Sequence, residues 1–95
     1  MATLVRHIGI ELVTPRLAFE SLQHQLHREP PQQLDMQLVL NLASRMKHSH
    51  WQPEAMPLVF DQWGRLVDGR HRCHAIVLHG EPVEVAVSRT EVVNV

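Results

Sequence analysis

Apolar and polar residues alternate along residues 4–13 of this chain. Ile8, Ile10 and Leu12 fall on one side of the alternation, and His7, Gly9 and Glu11 fall on the other. A period of two residues is typical of a β-strand that buries one face. The pattern therefore predicts a half-buried first strand, with the isoleucine and leucine side chains turned toward the core.

Three further strands are predicted in the second half of the chain. Apolar runs at residues 57–61 and 65–68 flank a three-residue loop that contains a glycine, and this spacing is typical of a β-hairpin. Alternating valines predict a last strand near residues 83–88. The loop residues of the hairpin are Gln62, Trp63 and Gly64.

Three segments repeat apolar residues at helical spacing, which predicts helices near residues 15–27, 35–48 and 70–79. Thr14 and Asp35 are candidate N-caps, and Gly80 is a candidate C-terminal residue. Pro30 and Pro31 predict a connector between the first two helices. The candidate core residues of the helices are Leu17 or Ala18, Leu22, Leu26, Leu38 or Val39, Leu42, Met46, Cys73, Ile76 and Val77. The order β-α-α-β-β-α-β predicts an α+β fold, with a small mixed β-sheet and three helices.

Composition narrows the class of protein. The length of 95 residues predicts a single domain, 1–95, with one core. A net charge of −1 lacks the basic character of a nucleic-acid-binding domain, so any DNA contact depends on a local patch. One cysteine and the lack of a long apolar run predict a cytoplasmic protein with no membrane contact. The candidate patch residues are Arg65, Arg70, Arg72 and Arg89.

The segment from Gly64 to Gly80 combines a strand end, a glycine turn and a helix that begins with basic residues. Free backbone N–H groups at a helix start attract phosphate, and glycine lets a ligand approach the backbone. An arginine can hold a phosphate with two N–H donors, and we expect Arg72 to do so. Asp68 is interpreted as the N-cap of this helix in preference to a carboxylate beside Mg²⁺. The candidate phosphate-binding residues are Asp68, Gly69, Arg70, His71 and Arg72.

The box Asp68-Gly69-Arg70-His71-Arg72 follows a hairpin strand and precedes a helix, a glycine and a strand that begins near Pro82-Val83. This arrangement resembles the ParB/sulfiredoxin-like domain family, above all its small phage and actinobacterial members with an Asp-Gly-Gln-His-Arg box. The resemblance covers residues 8–89. It implies a phage or mobile-element protein that binds a nucleotide or a nucleic-acid phosphate, with a nucleoside triphosphate and Mg²⁺ as cofactors and weak triphosphate hydrolysis. Trp63 and Trp51 are then the candidate contacts to the base.

The box departs from both named branches of that family. In sulfiredoxins the residue after the glycine is the catalytic cysteine, and this chain has Arg70 there. Cys73 lies among apolar residues of the predicted helix, so we expect a buried, inert thiol and no sulfinic-acid reduction. In partition proteins the box reads Gly-Glu-Arg-Arg, and Arg72 matches its last arginine while His71 replaces the first.

Two alternatives remain beside phosphate binding. A metal site would draw on His71 with His74, or on His48 with His50, but neither pair has a further ligand at a recognisable spacing, so no metal is predicted. The other alternative is a non-catalytic protein–protein interaction module, for example a phage regulator or an inhibitor of a host defence complex.

Overall fold

The described residues of the protein form four strands and three helices. The computed structural model describes residues 1–25, 33–48, 51–54 and 56–94. The predicted α+β class, with a small mixed sheet and three helices, is confirmed. The predicted connector at Pro30 and Pro31 lies outside the described residues, as do His50 and Leu26. The elements are β1 (Ala2–Val13), α1 (Pro15–Gln23), α2 (Met36–Lys47), β2 (Leu58–Phe60), β3 (Leu66–Asp68), α3 (Arg70–His79) and β4 (Val83–Asn94).

The sheet has the strand order β1-β4-β2-β3. β1 runs antiparallel to β4 over its whole length, from the pair Ala2 and Asn94 to the pair Val13 and Val83. β4 runs parallel to β2, and β2 forms a hairpin with β3. β1 and β4 have 12 residues each, more than the sequence pattern predicts, and β1 is an edge strand.

Side-chain caps fix where the first two helices begin. The Thr14 hydroxyl accepts a hydrogen bond from the Leu17 amide, and the Asp35 carboxylate accepts one from the Leu38 amide. Both caps confirm the predicted N-termini. α1 ends at Gln23, earlier than predicted, because the chain then turns to form a parallel bridge between Gln25 and Leu66 of β3. Within the described residues, no helix combines the length and the apolar character needed to cross a bilayer.

The helices cover the face of the sheet toward which the side chains of Val83, Val85 and Val87 of β4 point. α3 is the most deeply placed helix and contacts both α1 and α2. Because α3 is enclosed on two sides, its buried surface includes Ala75, whereas Val77, predicted to be buried, is exposed. Ala18 and Val39 fill the core in place of Leu17 and Leu38. The core cluster is Val13, Ala18, Val39, Ala43, Met46, Leu58, Phe60, Leu66, Cys73, Ala75, Ile76, Val83, Val85 and Val87.

The prediction that β1 buries Ile8, Ile10 and Leu12 is wrong for the single chain. These side chains are 66%, 51% and 63% exposed. The register explains the difference, since Ile8 and Ile10 lie opposite Ser88 and Ala86. Those positions of β4 alternate with the core valines, so the apolar side chains of β1 point away from the helices.

Candidate functional site: the turn before α3

The hairpin that leads to the site is organised by Asp61. Its carboxylate accepts hydrogen bonds from the amides of Trp63 and Arg65, at 3.0 and 2.9 Å, and from Nε of Arg65 at 2.7 Å. The Trp63 ring is exposed and lies 4.9 Å from the Arg65 guanidinium. The bonds to Asp61 hold the short loop closed. They therefore fix the start of β3, the strand that leads to the turn at Gly69.

Gly69 is required at the start of α3 for two separate reasons. Its φ of +107° lies in the left-handed region, which residues with a side chain rarely adopt. It also touches β2, because a β-carbon at this position would lie 2.5 Å from Leu58 Cδ2. Glycine therefore lets the backbone of the turn lie directly on the sheet, whereas the motif predicts a glycine that lets a ligand approach the backbone.

Asp68 is not the N-cap of α3, which corrects the prediction. The capping residue is Gly69, and the Asp68 carboxylate accepts a hydrogen bond from the Gly69 amide at 2.9 Å. The left-handed glycine stands between Asp68 and the first helical turn, so the carboxylate bonds to the turn instead of the helix. The amides of Arg70, His71 and Arg72 consequently have no capping side chain among the described residues.

Arg72 is half-buried and holds the turn against β2. Its Nη1 donates a hydrogen bond to the carbonyl oxygen of Pro57 at 2.9 Å. Burial lowers the pKa of Arg72, and attraction to the nearby Asp68 carboxylate opposes this shift. An arginine remains charged in spite of such shifts. Arg72 therefore positions the turn, and its charge lies beside the first turn of α3.

Arg70 has an unmet hydrogen-bonding group. Its Nη2 is buried and has no hydrogen-bond partner among the described residues. One turn along α3, burial lowers the pKa of His74, and the positive charge of Arg70 lowers it further. Arg70, His71 and His74 thus share one side of α3, where Arg70 carries a positive charge. His74 was absent from the predicted site, although its spacing of four residues from Arg70 is a signal for it.

His71 connects the first turns of two helices. Its Nε2 accepts a hydrogen bond from the Asp35 amide at 3.0 Å, which places the ring proton on Nδ1. The same Asp35 caps α2 with its carboxylate. The start of α2 is therefore fixed beside the start of α3, and the sequence carries no local signal for a contact across 36 positions.

The two tryptophans and the remaining arginines have other contacts. The Trp51 indole N–H donates to the Glu84 carbonyl oxygen at 2.8 Å, and the ring packs against the core, so this side chain stabilises β4. Arg89 forms two hydrogen bonds with the Glu11 carboxylate, and Arg65 is paired with Asp61. These pairs neutralise two of the four arginines of the predicted basic patch, which leaves the positive charge concentrated at the start of α3.

The groups that this site leaves without a bonding or capping side chain, among the described residues, are N–H donors at Arg70 Nη2 and in the first turn of α3. Cys73 lies behind it, fully buried, and burial raises the pKa of the thiol to about 12, so a reactive thiolate is not formed near neutral pH. Across the residues that the structure describes, no three His, Cys, Asp or Glu side chains are grouped to hold a metal ion.

Comparisons with protein-family models, with curated proteins and with solved structures found no match to this chain.

Proposed function

We propose that this protein binds a phosphate-bearing ligand at the N-terminal end of α3. The observation that carries the proposal is the Nη2 group of Arg70, which is buried and unpartnered beside a helix start that no described side chain caps. A buried N–H group that lacks an acceptor lowers the free energy of unfolding by about 1 to 3 kcal/mol, and by more when the group is charged. In this proposal the Arg70 guanidinium turns out of its buried position, and a phosphate oxygen supplies the missing acceptor.

The electrostatics of the first turn support the same ligand. The N-terminal end of a helix carries a partial positive charge, and the first turn of α3 contains no acidic residue. Arg70 and Arg72 add two more positive charges at that end, an arrangement that lowers helix stability, and the nearby Asp68 carboxylate attracts Arg72. In this proposal Arg70 and the first-turn amides bind the phosphate, while Gly69 and Arg72 position the turn.

The ligand class follows from the charge and from the resemblance to ParB/sulfiredoxin-like domains, which remains a proposal. A nucleotide or a nucleic-acid phosphate provides a dianionic or monoanionic phosphate group, and an arginine binds the oxygens of such a group well. For a nucleoside triphosphate, Mg²⁺ would be held chiefly by the triphosphate itself, since Asp68 is the one carboxylate within residues 68–72. The support is therefore for binding, and weak hydrolysis is a secondary hypothesis.

An NMR titration tests this proposal with inorganic phosphate first, and then with nucleoside triphosphates with and without Mg²⁺. We expect the amide signals of residues 69–72 to shift, and the pKa of His74 to rise as a nearby anion offsets the charge of Arg70. Arg70→Gln should weaken binding by at least about tenfold, because it removes a charge-assisted hydrogen bond.

Arg16→Gln is the matched control, since Arg16 is an exposed arginine of α1 that is paired with Glu20. It should leave phosphate affinity unchanged. Shifts that spread evenly over all arginines, or equal affinity in the Arg70→Gln variant, would contradict the proposal. A protein-interaction function is the second candidate, and the exposed apolar residues of β1 favour it.

A further inference from the structure

The sheet has an outer face, opposite the helices, that is unusually apolar. We define this outer face as the face of β1 and β4 that carries Leu4, Ile8, Ile10, Leu12, Ala86 and Val92. The helix side of β1 carries Thr3, Val5, His7, Gly9, Glu11 and Val13, of which two are apolar. An antiparallel sheet with one face in water normally places its polar residues on the water side. β1 instead places Leu4, Ile8, Ile10 and Leu12 on the water side. Its sequence is therefore suited to burial of the outer face.

Three apolar residues of the outer face are contiguous. Ile8, Ile10 and Leu12 follow one another along β1, Leu4 lies beyond Arg6, and each of the four is at least half exposed. Ala86 and Ser88 lie beside them in β4 and are buried between neighbouring strands. Single exposed apolar residues are ordinary, whereas a continuous row on an edge strand marks an interaction surface.

We propose that a second copy of this chain packs on the outer face, so that two sheets form a sandwich. The positions of two charges select this occupant. Arg6 and Glu84 are the charged residues of the outer face within the paired strands, and neither has an ion pair within the described part of the chain. They lie six register positions apart, about 20 Å along the strands.

The midpoint between these two charges is the pair of Gly9 and Val87. We place a two-fold axis between the two sheets, at the level of this pair, parallel to the sheets and perpendicular to the strands. This axis brings Arg6 to the level of the partner's Glu84 at both ends of the interface. It also sets Ile8 opposite the partner's Ile10, which places apolar side chains in the centre of the sandwich. An axis along the strands would instead bring Arg6 to the level of the partner's Arg6, and like charges repel. The outer face is thus complementary to itself in one orientation.

The area of the outer face predicts a reversible dimer. Twelve residues of strand extend about 40 Å, and two strands are about 10 Å wide, so each copy contributes about 400 Å². This area is below that of a permanent interface. The dimer should therefore form and dissociate within the micromolar to millimolar range of protein concentration.

Sedimentation velocity over that range of concentration tests the proposal. We expect the full chain to show a monomer–dimer equilibrium. The double substitution Ile8→Thr with Ile10→Thr should weaken it by at least about tenfold, because it removes the central apolar contacts and keeps β-branched side chains in the strand. Val5→Thr, on the helix side of the same strand, is the matched control and should leave the dimer unchanged. Circular dichroism of each variant confirms that the fold is retained.

Charge reversal tests the orientation. Arg6→Glu and Glu84→Arg should each weaken the dimer, and the two together should restore it, since the pair is then reversed but complementary. A chain that stays monomeric at every concentration overturns the proposal. A dimer that persists with Ile8→Thr and Ile10→Thr, or that ignores both charge reversals, also overturns it and indicates edge-to-edge pairing through β1. The phosphate site does not depend on either outcome, because it lies at the start of α3.

Discussion

Gly69 at the start of α3 lies directly against Leu58 of β2. A β-carbon on Gly69 would be 2.5 Å from Leu58 Cδ2 and 3.2 Å from Leu58 Cα. The second of these atoms belongs to the backbone of the sheet and cannot move aside as a side chain can. The close approach therefore sets the distance between the first turn of α3 and the sheet, and with it the position of Arg70 and Arg72.

Gly69→Ala should lower the free energy of unfolding by at least about 2 kcal/mol, since it combines a left-handed backbone with a steric overlap. Gly80→Ala is the matched control. Gly80 also has a left-handed φ, +81°, but a β-carbon there meets nothing within 4 Å, so only about 1 kcal/mol should be lost. Urea denaturation measures both variants. Equal losses would show that the contact with Leu58 is unimportant.

Arg72→Ala should lower the free energy of unfolding by about 1 to 3 kcal/mol, because the Pro57 carbonyl loses a partly buried charged donor. The motif alone suggests that Arg72 serves only a ligand, in which case the unliganded protein would barely change. Arg16→Ala removes an exposed arginine and should cost less than about 0.5 kcal/mol. Thermal unfolding without any ligand separates the two roles, and an unchanged melting temperature in Arg72→Ala would contradict the positioning role.

Cys73 should make the protein less stable at alkaline pH. Burial raises the pKa of its thiol from 9.0 to about 12, so above pH 9.0 the unfolded chain releases a proton that the folded chain keeps. The stabilisation is complete below the unfolded pKa and is lost as the pH rises toward the folded pKa, by up to about 1.4 kcal/mol per pH unit. Urea unfolding at neutral and alkaline pH should show this loss, and Cys73→Ala should reduce it. An identical alkaline slope in Cys73→Ala would refute the assignment.

Ser88→Ala should raise the free energy of unfolding by about 1 kcal/mol. The Ser88 hydroxyl is buried and has no hydrogen-bond partner within the described residues, so its removal eliminates a desolvation cost. Ser21→Ala is the control, since the buried Ser21 hydroxyl donates to the Leu17 carbonyl oxygen at 2.8 Å. That substitution should lower the free energy of unfolding. Chemical denaturation of both variants gives the sign, and a destabilised Ser88→Ala would reveal a partner for this hydroxyl.

The elements of the fold could be predicted because their signals are local. Thr14, Asp35 and Gly80 mark helix ends through the hydrogen bonds or backbone angles that their own neighbours need. The spacing around Gly64 marks the hairpin in the same way. The length of β1 and β4 could not be predicted, because each strand is extended by pairing with the other over a large sequence separation.

The turn at the start of α3 was predictable from the sequence, and the contacts of its residues were less so. The turn at Gly69 follows from the motif, whereas the bond from Arg72 to Pro57 and the bond from the Asp35 amide to His71 join elements far apart in the chain. The alternation in β1 identifies two faces but carries no information on which face meets the helices. That choice depends on the register with β4.

The pairing of Ala2 with Asn94 has a consequence for folding. β1 is the first strand in chain order, and its partner β4 is the last, so the two must meet across the whole intervening chain. Such non-local pairing is slow, because the entropy of closing a long loop opposes it before any contact is made. During synthesis, Ile8 and Ile10 leave the ribosome long before residues 83–94. The nascent chain therefore carries an unpaired apolar strand, and translation is the stage at which this protein is most exposed to aggregation.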